Sequence, residues 1–428
     1  MVIRLGALLL TLGLLATACS KASAPTPAVS NPPQELSSPS PSVTSGPETS
    51  RVPASVPDEY RAVYGSLDES LESFHEYLDQ NRDGAGGDTV FGAELLVANG
   101  NRGEVLLVPA TMAGVRLYLD RLQEIGAKGV TVAISYPLLR PDFPRSAEYL
   151  QFFRQVAQEV RRRGLKLAVE SGPVFPDPQY SQVRADFSRL TKETYFQSKK
   201  EQLLLIAREV KPDYLSFSGE PTTEKMLTGL DFSPADYVAF VQGTADAVKS
   251  LTTGVLVGAG AGTWEDPEYL RRLIADTSVD FINIHIYPVR GPTTDYLRVA
   301  VETAEAARAA GKKLIIGESW LYKAAPSEVG KGYQEIFARD VYGFWEPLDT
   351  RFIEAMVCLG RYQGFDYVSL FWANYFFAYV DYEAVPKGLS GVDLMARANQ
   401  AAFANLLAGD FSGTGRVLKR LIAPSSGD

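Results

Sequence analysis

The chain contains 428 residues, of which 46% are hydrophobic and 22% are charged. This composition is typical of globular proteins and excludes a mainly disordered or collagen-like chain. The formal net charge of −9 argues against nucleic-acid binding, because a phosphate backbone requires a basic surface. Two cysteines are too few for a disulfide framework or a cysteine-type zinc site, and the two histidines, His75 and His285, lie too far apart in the sequence for a His-x-x-x-His metal pair. No metal and no cofactor are therefore predicted.

The first 19 residues are predicted to be a secretory signal peptide. Arg4 precedes an apolar run over residues 5–15, and Ala-Thr-Ala then leads to Cys19. The run is shorter than the ~20 residues that a membrane-spanning helix needs. Leu-Ala-Thr-Ala-Cys resembles a bacterial lipobox, which implies export and a lipid on Cys19 as the only membrane attachment, at the cell surface or the periplasmic face. The alternative is an ordinary signal peptide with a chance cysteine.

Residues 20–57 are predicted to be a flexible tether. Pro or Ser occupies 19 of these 38 positions, and none is aromatic. Such a segment cannot bury enough apolar surface to offset the entropy lost on ordering it. The folded domain is accordingly assigned to residues 58–428.

An amphipathic helix is predicted to begin this domain and to cap it. Its apolar residues recur at steps of three or four: Tyr60, Val63, Leu67, Leu71, Phe74 and Leu78. Asp58, which follows Pro57, is the expected N-cap. His75 lies off the apolar stripe and is expected to face solvent.

Eight β-rich runs alternate with helix-length segments along the rest of the chain. The predicted strands are Val90–Leu95, Gly129–Ser135, Leu165–Glu170, Asp213–Gly219, Val255–Gly260, Asp280–Tyr287, Lys313–Glu318 and Asp366–Phe371. The predicted helices include Ala113–Ile125, Ala147–Arg163, Lys192–Val210, Pro234–Leu251, Pro267–Asp276 and Thr294–Ala310. This alternation predicts a (β/α)8 TIM barrel of the α/β class. A doubly wound sheet is the alternative, but no Gly-x-Gly-x-x-Gly turn follows the first strand.

Alternation along the sixth strand indicates which side chains face the barrel interior. Its three isoleucines share one face, while Asn283, His285 and Tyr287 share the other. The apolar face should meet the helices, so the polar face is expected to point into the barrel.

Four glutamates are expected to meet at the carboxyl ends of the strands, where barrel enzymes place their chemistry. They are Glu94, Glu170, Glu220 and Glu318. Alternation groups Glu318 with Leu314 and Ile316 on one side of the seventh strand.

The ends of strands four, six and seven resemble the retaining β-glycosidases of clan A. Ser-Gly-Glu-Pro closes strand four with Glu220, Gly-Glu-Ser-Trp closes strand seven with Glu318, and Ile-His-Ile-Tyr-Pro closes strand six with Tyr287. The resemblance covers about residues 88–407 and implies a hydrolase that cleaves an extracellular oligo- or polysaccharide. It implies that Glu220 is the general acid/base, Glu318 the nucleophile, Tyr287 the residue that holds the nucleophile, and Trp372 the platform beneath the sugar. Retaining hydrolysis requires the two carboxyl groups to lie about 5–5.5 Å apart.

One departure from the clan A pattern is Gly219. Clan members usually have Asn immediately before the acid/base, where it binds the sugar 2-hydroxyl, and this chain has Gly. The departure motivates a second hypothesis, a lipid-anchored carbohydrate-binding barrel that has lost catalysis.

The remaining predicted sugar ligands are Glu94, Glu170, His285, Trp264 and Trp320. Sugar rings stack on aromatic side chains, while carboxylates hold their hydroxyls. Alternatively, Glu94 and Glu170 could position an arginine such as Arg140, and His285 could be a structural histidine. A third hypothesis is a metal-dependent barrel enzyme in which the four glutamates hold a divalent cation.

Overall fold

The computed structural model describes residues 52–80, 88–175, 181–287, 293–325, 328 and 333–423. Eight parallel strands close into one barrel in chain order, with β8 paired to β1. The strands are β1 (Val90–Glu94), β2 (Gly129–Ala133), β3 (Lys166–Glu170), β4 (Tyr214–Ser216), β5 (Leu256–Gly262), β6 (Phe281–Ile286), β7 (Lys313–Ser319) and β8 (Tyr367–Leu370). The predicted TIM barrel is confirmed, and every predicted strand overlaps an observed one.

Helices surround the barrel. Those in the described part of the chain are α1 (Arg61–Gln80), α2 (Pro109–Ile125), α3 (Ser146–Arg162), α4 (Lys192–Glu209), α5 (Pro221–Thr228), α6 (Pro234–Leu251), α7 (Pro267–Asp276), α8 (Thr293–Ala309), α9 (Tyr333–Arg339), α10 (Glu346–Tyr362), α11 (Gly391–Ala408) and α12 (Gly413–Ile422). Proline in the first turn begins α5, α6 and α7, because its fixed φ suits that position. Gly126, with φ 107°, ends α2 in the left-handed region that favours glycine.

The barrel interior is filled in layers. The lowest is apolar and takes one side chain from each of several strands: Ala168, Tyr214, Phe281, Ile315 and Tyr367. Above it the interior becomes polar, where Thr131 Oγ1 lies 3.0 Å from the Tyr367 hydroxyl and 2.8 Å from Ser369 Oγ. A packed apolar layer thus lies beneath the strand ends, and the polar side chains above it face the carboxyl-terminal mouth of the barrel.

The alternation expected along β7 is wrong, and a β-bulge is the reason. Leu314 and Ile316 pack outward with the helices, while Ile315 faces the interior. Opposite β6, Ile284 pairs with Ile316 but His285 pairs with Glu318, so Gly317 is an extra residue in β7. The bulge reverses the alternation and returns Glu318 to the mouth of the barrel.

The first helix packs beside the barrel, against α8 and α10. Tyr64 stacks on Trp345 with ring centroids 5.8 Å apart. His75 does not simply face solvent, because its Nε2 lies 3.1 Å from the Arg351 carbonyl oxygen on α10. The predicted N-cap is also wrong: Pro57 occupies the cap position of a 3-10 turn, and Asp58 is the first residue of that turn.

The described chain begins before the predicted domain boundary. Val56 is only 2% exposed and joins the main apolar core. Two residues assigned to the tether, Val52 and Val56, therefore pack on the domain. Cys19 and most of the predicted tether lie outside the described residues. Within the described residues, every helix is too short or too polar to cross a membrane.

Candidate active site

Side chains from four strands or strand ends meet around the ring of His285 at the mouth of the barrel. His285 Nδ1 lies 2.8 Å from Glu220 Oε1 and 3.8 Å from Glu318 Oε2. On the other side of the ring, Nε2 lies 3.2 Å from Glu170 Oε2. Three of the four glutamates expected to converge thus contact or approach a single histidine.

The separation of Glu220 and Glu318 is limited by the nitrogen they share. Because His285 Nδ1 is 2.8 Å from one carboxylate oxygen and 3.8 Å from the other, these oxygens can be no farther apart than the sum of the two distances. The 5–5.5 Å that retaining glycosidases need lies within that limit. The side chains of Glu220 and Glu318 are 19% and 20% exposed, whereas that of His285 is 4% exposed. Two reachable carboxylates therefore lie above a buried imidazole.

A glycine precedes each of these two glutamates, Gly219 before Glu220 and Gly317 before Glu318. At both glycines, a neighbouring side chain occupies the space that a Cβ atom would need. A Cβ at Gly219 would lie 2.2 Å from His285 Nε2, and a Cβ at Gly317 would lie 2.0 Å from Glu170 Oε1. Neither approach is compatible with close-packed atoms. The Asn that clan A members usually have at position 219 cannot coexist with this placement of His285, which gives Gly219 a steric reason.

Asn283 links the strands that carry the cluster. Its Nδ2 donates to Glu170 Oε1 over 2.7 Å and to Ser216 Oγ over 2.9 Å, and its Oδ1 accepts from the Gly317 amide over 2.8 Å. Asn283 is fully buried, as its predicted inward direction requires. One amide on β6 thus ties β3, β4 and the bulge of β7 together.

Charge around His285 follows from these contacts. Burial alone would lower the pKa of His285, but Glu170 and Glu220 raise it well above its ordinary value. Burial likewise opposes ionisation of Glu170, yet His285 and the hydrogen bond from Asn283 lower the pKa of that carboxyl. These contacts therefore favour the imidazolium form of His285, with Glu170 as its carboxylate partner.

Two other glutamates of the cluster tend to keep their protons. Burial raises the pKa of Glu318 well above its ordinary range, and Glu220, Glu170 and Glu94 add to this against the opposing effect of His285. Burial and the neighbouring Glu170 also raise the pKa of Glu94 to about 8, although Asn99 donates to Glu94 Oε1 over 3.1 Å. Burial and neighbouring carboxyl groups therefore favour the protonated forms of Glu318 and Glu94.

Glu220 is positioned by the start of α5. It occupies the N-cap position, and Thr223 Oγ1 donates to Glu220 Oε2 over 2.6 Å. Behind this helix, Glu224 is buried and accepts from the Tyr195 hydroxyl over 2.9 Å and from Lys199 Nζ. This ion pair anchors the helix that carries Glu220. The sequence shows no periodic signal for it, because Lys199 and Glu224 lie on different helices.

Glu265 is a further acidic residue near Glu220 that the sequence analysis missed. Its two oxygens accept from the Thr222 amide over 2.5 Å and from the Gly262 amide over 2.6 Å. Burial and the nearby Glu220 raise the pKa of Glu265 to about 7. It connects the end of β5 to the first turn of α5.

The predicted aromatic residues form a layer across the loops after β5 to β8. Trp264 stacks on Tyr287 with centroids 5.0 Å apart, and Trp320 meets Tyr287 edge-on at 5.8 Å and Trp372 at 5.6 Å. We call Trp264, Tyr287, Trp320 and Trp372 the aromatic wall. Trp320 is only 5% exposed, whereas Trp264 and Trp372 are partly exposed. A ligand can therefore reach two of the three tryptophans.

Two predicted contacts are not made. Tyr287 was expected to hold the nucleophile, but within the described residues it forms ring contacts with Trp264, His285 and Trp320 and no hydrogen bond with Glu318. Arg140 was a possible partner of Glu94 or Glu170, but its guanidinium pairs with Asp142 over 2.8 Å and donates to the Tyr136 hydroxyl over 2.9 Å. His285, two residues before Tyr287, is the side chain that contacts the acidic cluster instead.

A divalent cation is the remaining possibility for the cluster. Glu170, His285 and Glu318 each offer one ligand atom, and these atoms lie within 4.8 Å of one another. However, His285 Nε2 is already engaged by Glu170 and Nδ1 by Glu220. Both ring nitrogens thus already have carboxylate partners, and a cation at these three donors would have to displace one of them.

Comparison with known proteins supports the fold. The sequence matches no protein-family model and no curated protein. The GH5_18 protein of Bifidobacterium longum subsp. longum is 15% identical over 79% of this chain and 80% of that chain, with a TM-score of 0.50. A variant of it in complex with Manb1-4GlcNAc gives 15% identity, coverage of 78% of each chain and a TM-score of 0.50. The exo-beta-1,4-mannosidase Op5Man5 of Opitutaceae bacterium strain TAV5 is 14% identical over 78% of this chain and 59% of that chain, with a TM-score of 0.49.

Proposed function

We propose that this protein is a retaining β-glycoside hydrolase in which Glu318 is the nucleophile and Glu220 the general acid/base. The observation that supports this most is the contact of both side chains with one nitrogen of His285, at 2.8 Å and 3.8 Å. It limits the separation of two partly exposed carboxyl oxygens to less than the sum of these distances, a range that includes the 5–5.5 Å of retaining glycosidases.

The reaction has two displacements. Glu318 attacks the anomeric carbon while Glu220 gives its proton to the departing glycosidic oxygen, which breaks the C–O bond and leaves a glycosyl ester on Glu318. Water then attacks the same carbon, Glu220 takes a proton from that water, and the ester bond to Glu318 breaks. The sugar leaves with its original anomeric configuration, and both carboxyl groups return to their starting states.

The cluster supplies the single proton that this cycle needs. Burial and the neighbouring carboxyl groups raise the pKa of Glu318 and so favour a proton in the cluster of the free protein, and His285 lies between the two carboxyl groups. The first displacement requires that this proton reside on Glu220 when the sugar is bound. His285, as an imidazolium held by Glu170, stabilises the carboxylate that has lost its proton.

The proposed substrate is a β-linked oligo- or polysaccharide. Trp264 and Trp372 offer partly exposed rings in the aromatic wall, on the loops after β5 and β8, and such rings stack on the C–H faces of sugars. The Bifidobacterium variant with the similar fold binds Manb1-4GlcNAc. β-Mannosides are therefore the first substrates to test, followed by β-glucans, galactans and xylans.

The proposed location is outside the cytoplasmic membrane, at the cell surface or the periplasmic face. The support is the sequence alone: Arg4, the apolar run over residues 5–15 and Cys19 in a lipobox-like context. A Cys19→Ser variant expressed in a bacterial host should lose incorporation of radiolabelled palmitate. Equal labelling of the variant and the parent chain would refute the anchor without affecting the proposed activity.

The activity is tested with Glu220→Gln and Glu318→Gln on a panel of aryl β-glycosides and β-1,4-linked oligosaccharides. Both variants should fold, with cooperative melting, and each should lose at least about 1,000-fold in turnover because each removes a group that acts in the transition state. Azide should restore activity to Glu318→Gly by replacing the missing nucleophile. Full activity in either glutamine variant would overturn the assignment.

A second candidate function is a carbohydrate-binding barrel without catalysis. Gly219 favours it, because the Asn that usually binds the sugar 2-hydroxyl is absent and His285 fills its place. Calorimetry that shows oligosaccharide binding, together with no reducing ends released over days, would support this function and contradict the hydrolase.

A further inference from the structure

A second buried ionic cluster lies behind the aromatic wall. Lys323, on the chain after β7, is fully buried, and its Nζ lies 2.8 Å from Asp340 Oδ1 and also contacts Asp349 Oδ1. Asp340 and Asp349 are 0% and 4% exposed. Burial of three charged groups is costly unless each is paired and hydrogen-bonded, so a cluster of this kind requires a structural or functional reason.

The cluster holds aromatic side chains by their polar atoms. Trp320 Nε1 donates to Asp340 Oδ2 over 2.7 Å, and the Tyr375 hydroxyl donates to the same oxygen. The Tyr379 hydroxyl donates to Asp349 Oδ2 over 3.0 Å. Lys323 Nζ also lies 5.4 Å from the centre of the Tyr375 ring. Each carboxylate therefore accepts from an aromatic group on one oxygen and pairs with Lys323 on the other.

Trp320 connects the ionic cluster to the aromatic wall. It lies two residues after Glu318, and its ring meets Tyr287 and Trp372 edge-on. With only 5% of its surface exposed, it can touch little of a bound sugar itself. Its ring instead packs against two other members of the aromatic wall.

We propose that Lys323, Asp340 and Asp349 are positioning residues that hold Trp320, and through it the aromatic wall, in the orientation that binds a glycan. The inference rests on the proposed function for the nature of the ligand, but the effect on ring orientation can be measured without any activity. Three of the four tryptophans of the chain belong to the wall, so the tryptophan bands of the near-ultraviolet circular dichroism report on it.

The test compares Asp340→Asn with Arg351→Met as a matched control. Arg351 lies on α10, as Asp349 does, and pairs with Asp68 and Glu72 on α1, away from the wall. Both variants remove one charged partner of an ion pair at least partly shielded from solvent. Far-ultraviolet circular dichroism and thermal melting first establish that each variant is folded. If Asp340→Asn does not fold, Tyr375→Phe removes one hydrogen bond to Asp340 and keeps the ring.

The folded Asp340→Asn variant should lose much of its near-ultraviolet signal, whereas Arg351→Met should keep it. In a Glu220→Gln background, the Kd for β-1,4-linked tetrasaccharides of mannose, glucose or xylose should rise about 10-fold in the first variant only. With Glu220 intact, KM for these tetrasaccharides should rise while kcat on a small aryl glycoside changes less than about 3-fold. An unchanged near-ultraviolet signal and unchanged Kd in Asp340→Asn would refute the positioning role. If the parent chain binds and cleaves none of these glycans, the proposed function fails, and the near-ultraviolet result alone still decides the positioning role.

Discussion

The imidazole of His285 occupies the space that a side chain at position 219 would need, since a Cβ there would lie 2.2 Å from its Nε2. Gly219 immediately precedes Glu220, and the ring that displaces its side chain contacts Glu220 on its other nitrogen. The absence of a side chain at position 219 therefore makes room for the His285 ring, which lies at the floor of the candidate site.

Gly219→Ala should test this relationship. The added methyl group must displace His285 or the end of β4, so we expect about 1–3 kcal/mol lower stability and at least about 100-fold lower activity. Gly172→Ala is the matched control, because nothing lies within 4 Å of a Cβ at that position. In a His285→Ala background, Gly219→Ala should cause no further loss of stability or activity, because the ring that it would clash with is absent. Additive losses in the double variant would contradict the steric account.

The charge of His285 can be observed directly by NMR. The chain has two histidines, so His75→Gln leaves His285 as the only imidazole. We expect both ring nitrogens to stay protonated at neutral pH, because Glu170 and Glu220 raise the pKa of His285.

Glu170→Gln should lower that pKa, since the burial that disfavours the imidazolium remains while its main carboxylate partner is removed. Replacement of the exposed Glu104 by Gln is the control. A neutral ring in the parent chain, or no change in Glu170→Gln, would contradict the electrostatic account.

The stability of the protein should fall as pH rises through the titration of Glu94. The pKa of this carboxyl is raised from 4.5 to about 8 in the folded state, so folding takes up a proton between these values. The contribution of Glu94 to the free energy of unfolding is fully present below about pH 4.5 and is lost as pH rises through about 8. Glu94→Gln keeps an acceptor for Asn99 and cannot ionise. Its Tm should therefore exceed that of the parent chain at pH 8.5 and change less between pH 5 and 8.5; parallel curves would contradict this.

Removal of divalent cations should leave the protein unaffected. Glu170, His285 and Glu318 engage one another or Glu220 without a cation. We expect the same turnover and Tm after dialysis against EDTA as after addition of Mg²⁺, Mn²⁺ or Zn²⁺. Loss of turnover in EDTA with recovery on adding one of these ions would instead favour the metal-dependent enzyme.

The strands and most helix bounds could be predicted because they depend on local patterns. Alternation in β6 placed Asn283 and His285 correctly in the interior. The same rule failed for β7, because alternation assumes an unbroken register and Gly317 is inserted as a bulge. The sequence nevertheless predicted correctly that Glu318 lies at the carboxyl end of its strand. The position of a strand end does not depend on the alternation that the bulge interrupts.

The contacts within the site could not be predicted in the same way. Glu265 and Lys323 lie on segments without a periodic pattern, and their partners are distant in the chain. The family resemblance implied a tyrosine on Glu318, whereas Tyr287 packs into the aromatic wall. The sequence indicated only that Gly219 lacks the Asn side chain usual at this position, and the position of His285 gives the steric reason. These are features of packing between elements, which a single sequence does not record.

The central claim is that Glu318 forms a covalent bond with the sugar, and trapping measures it most directly. The protein is incubated with dinitrophenyl 2-deoxy-2-fluoro-β-glycosides of mannose, glucose and xylose, which slow release of the glycosyl ester more than its formation. We expect the intact mass to increase by one fluorosugar, with the label on the peptide that contains Glu318 and no labelling of Glu318→Gln. A label on another residue, or turnover of the parent glycosides with inverted configuration, would contradict the account.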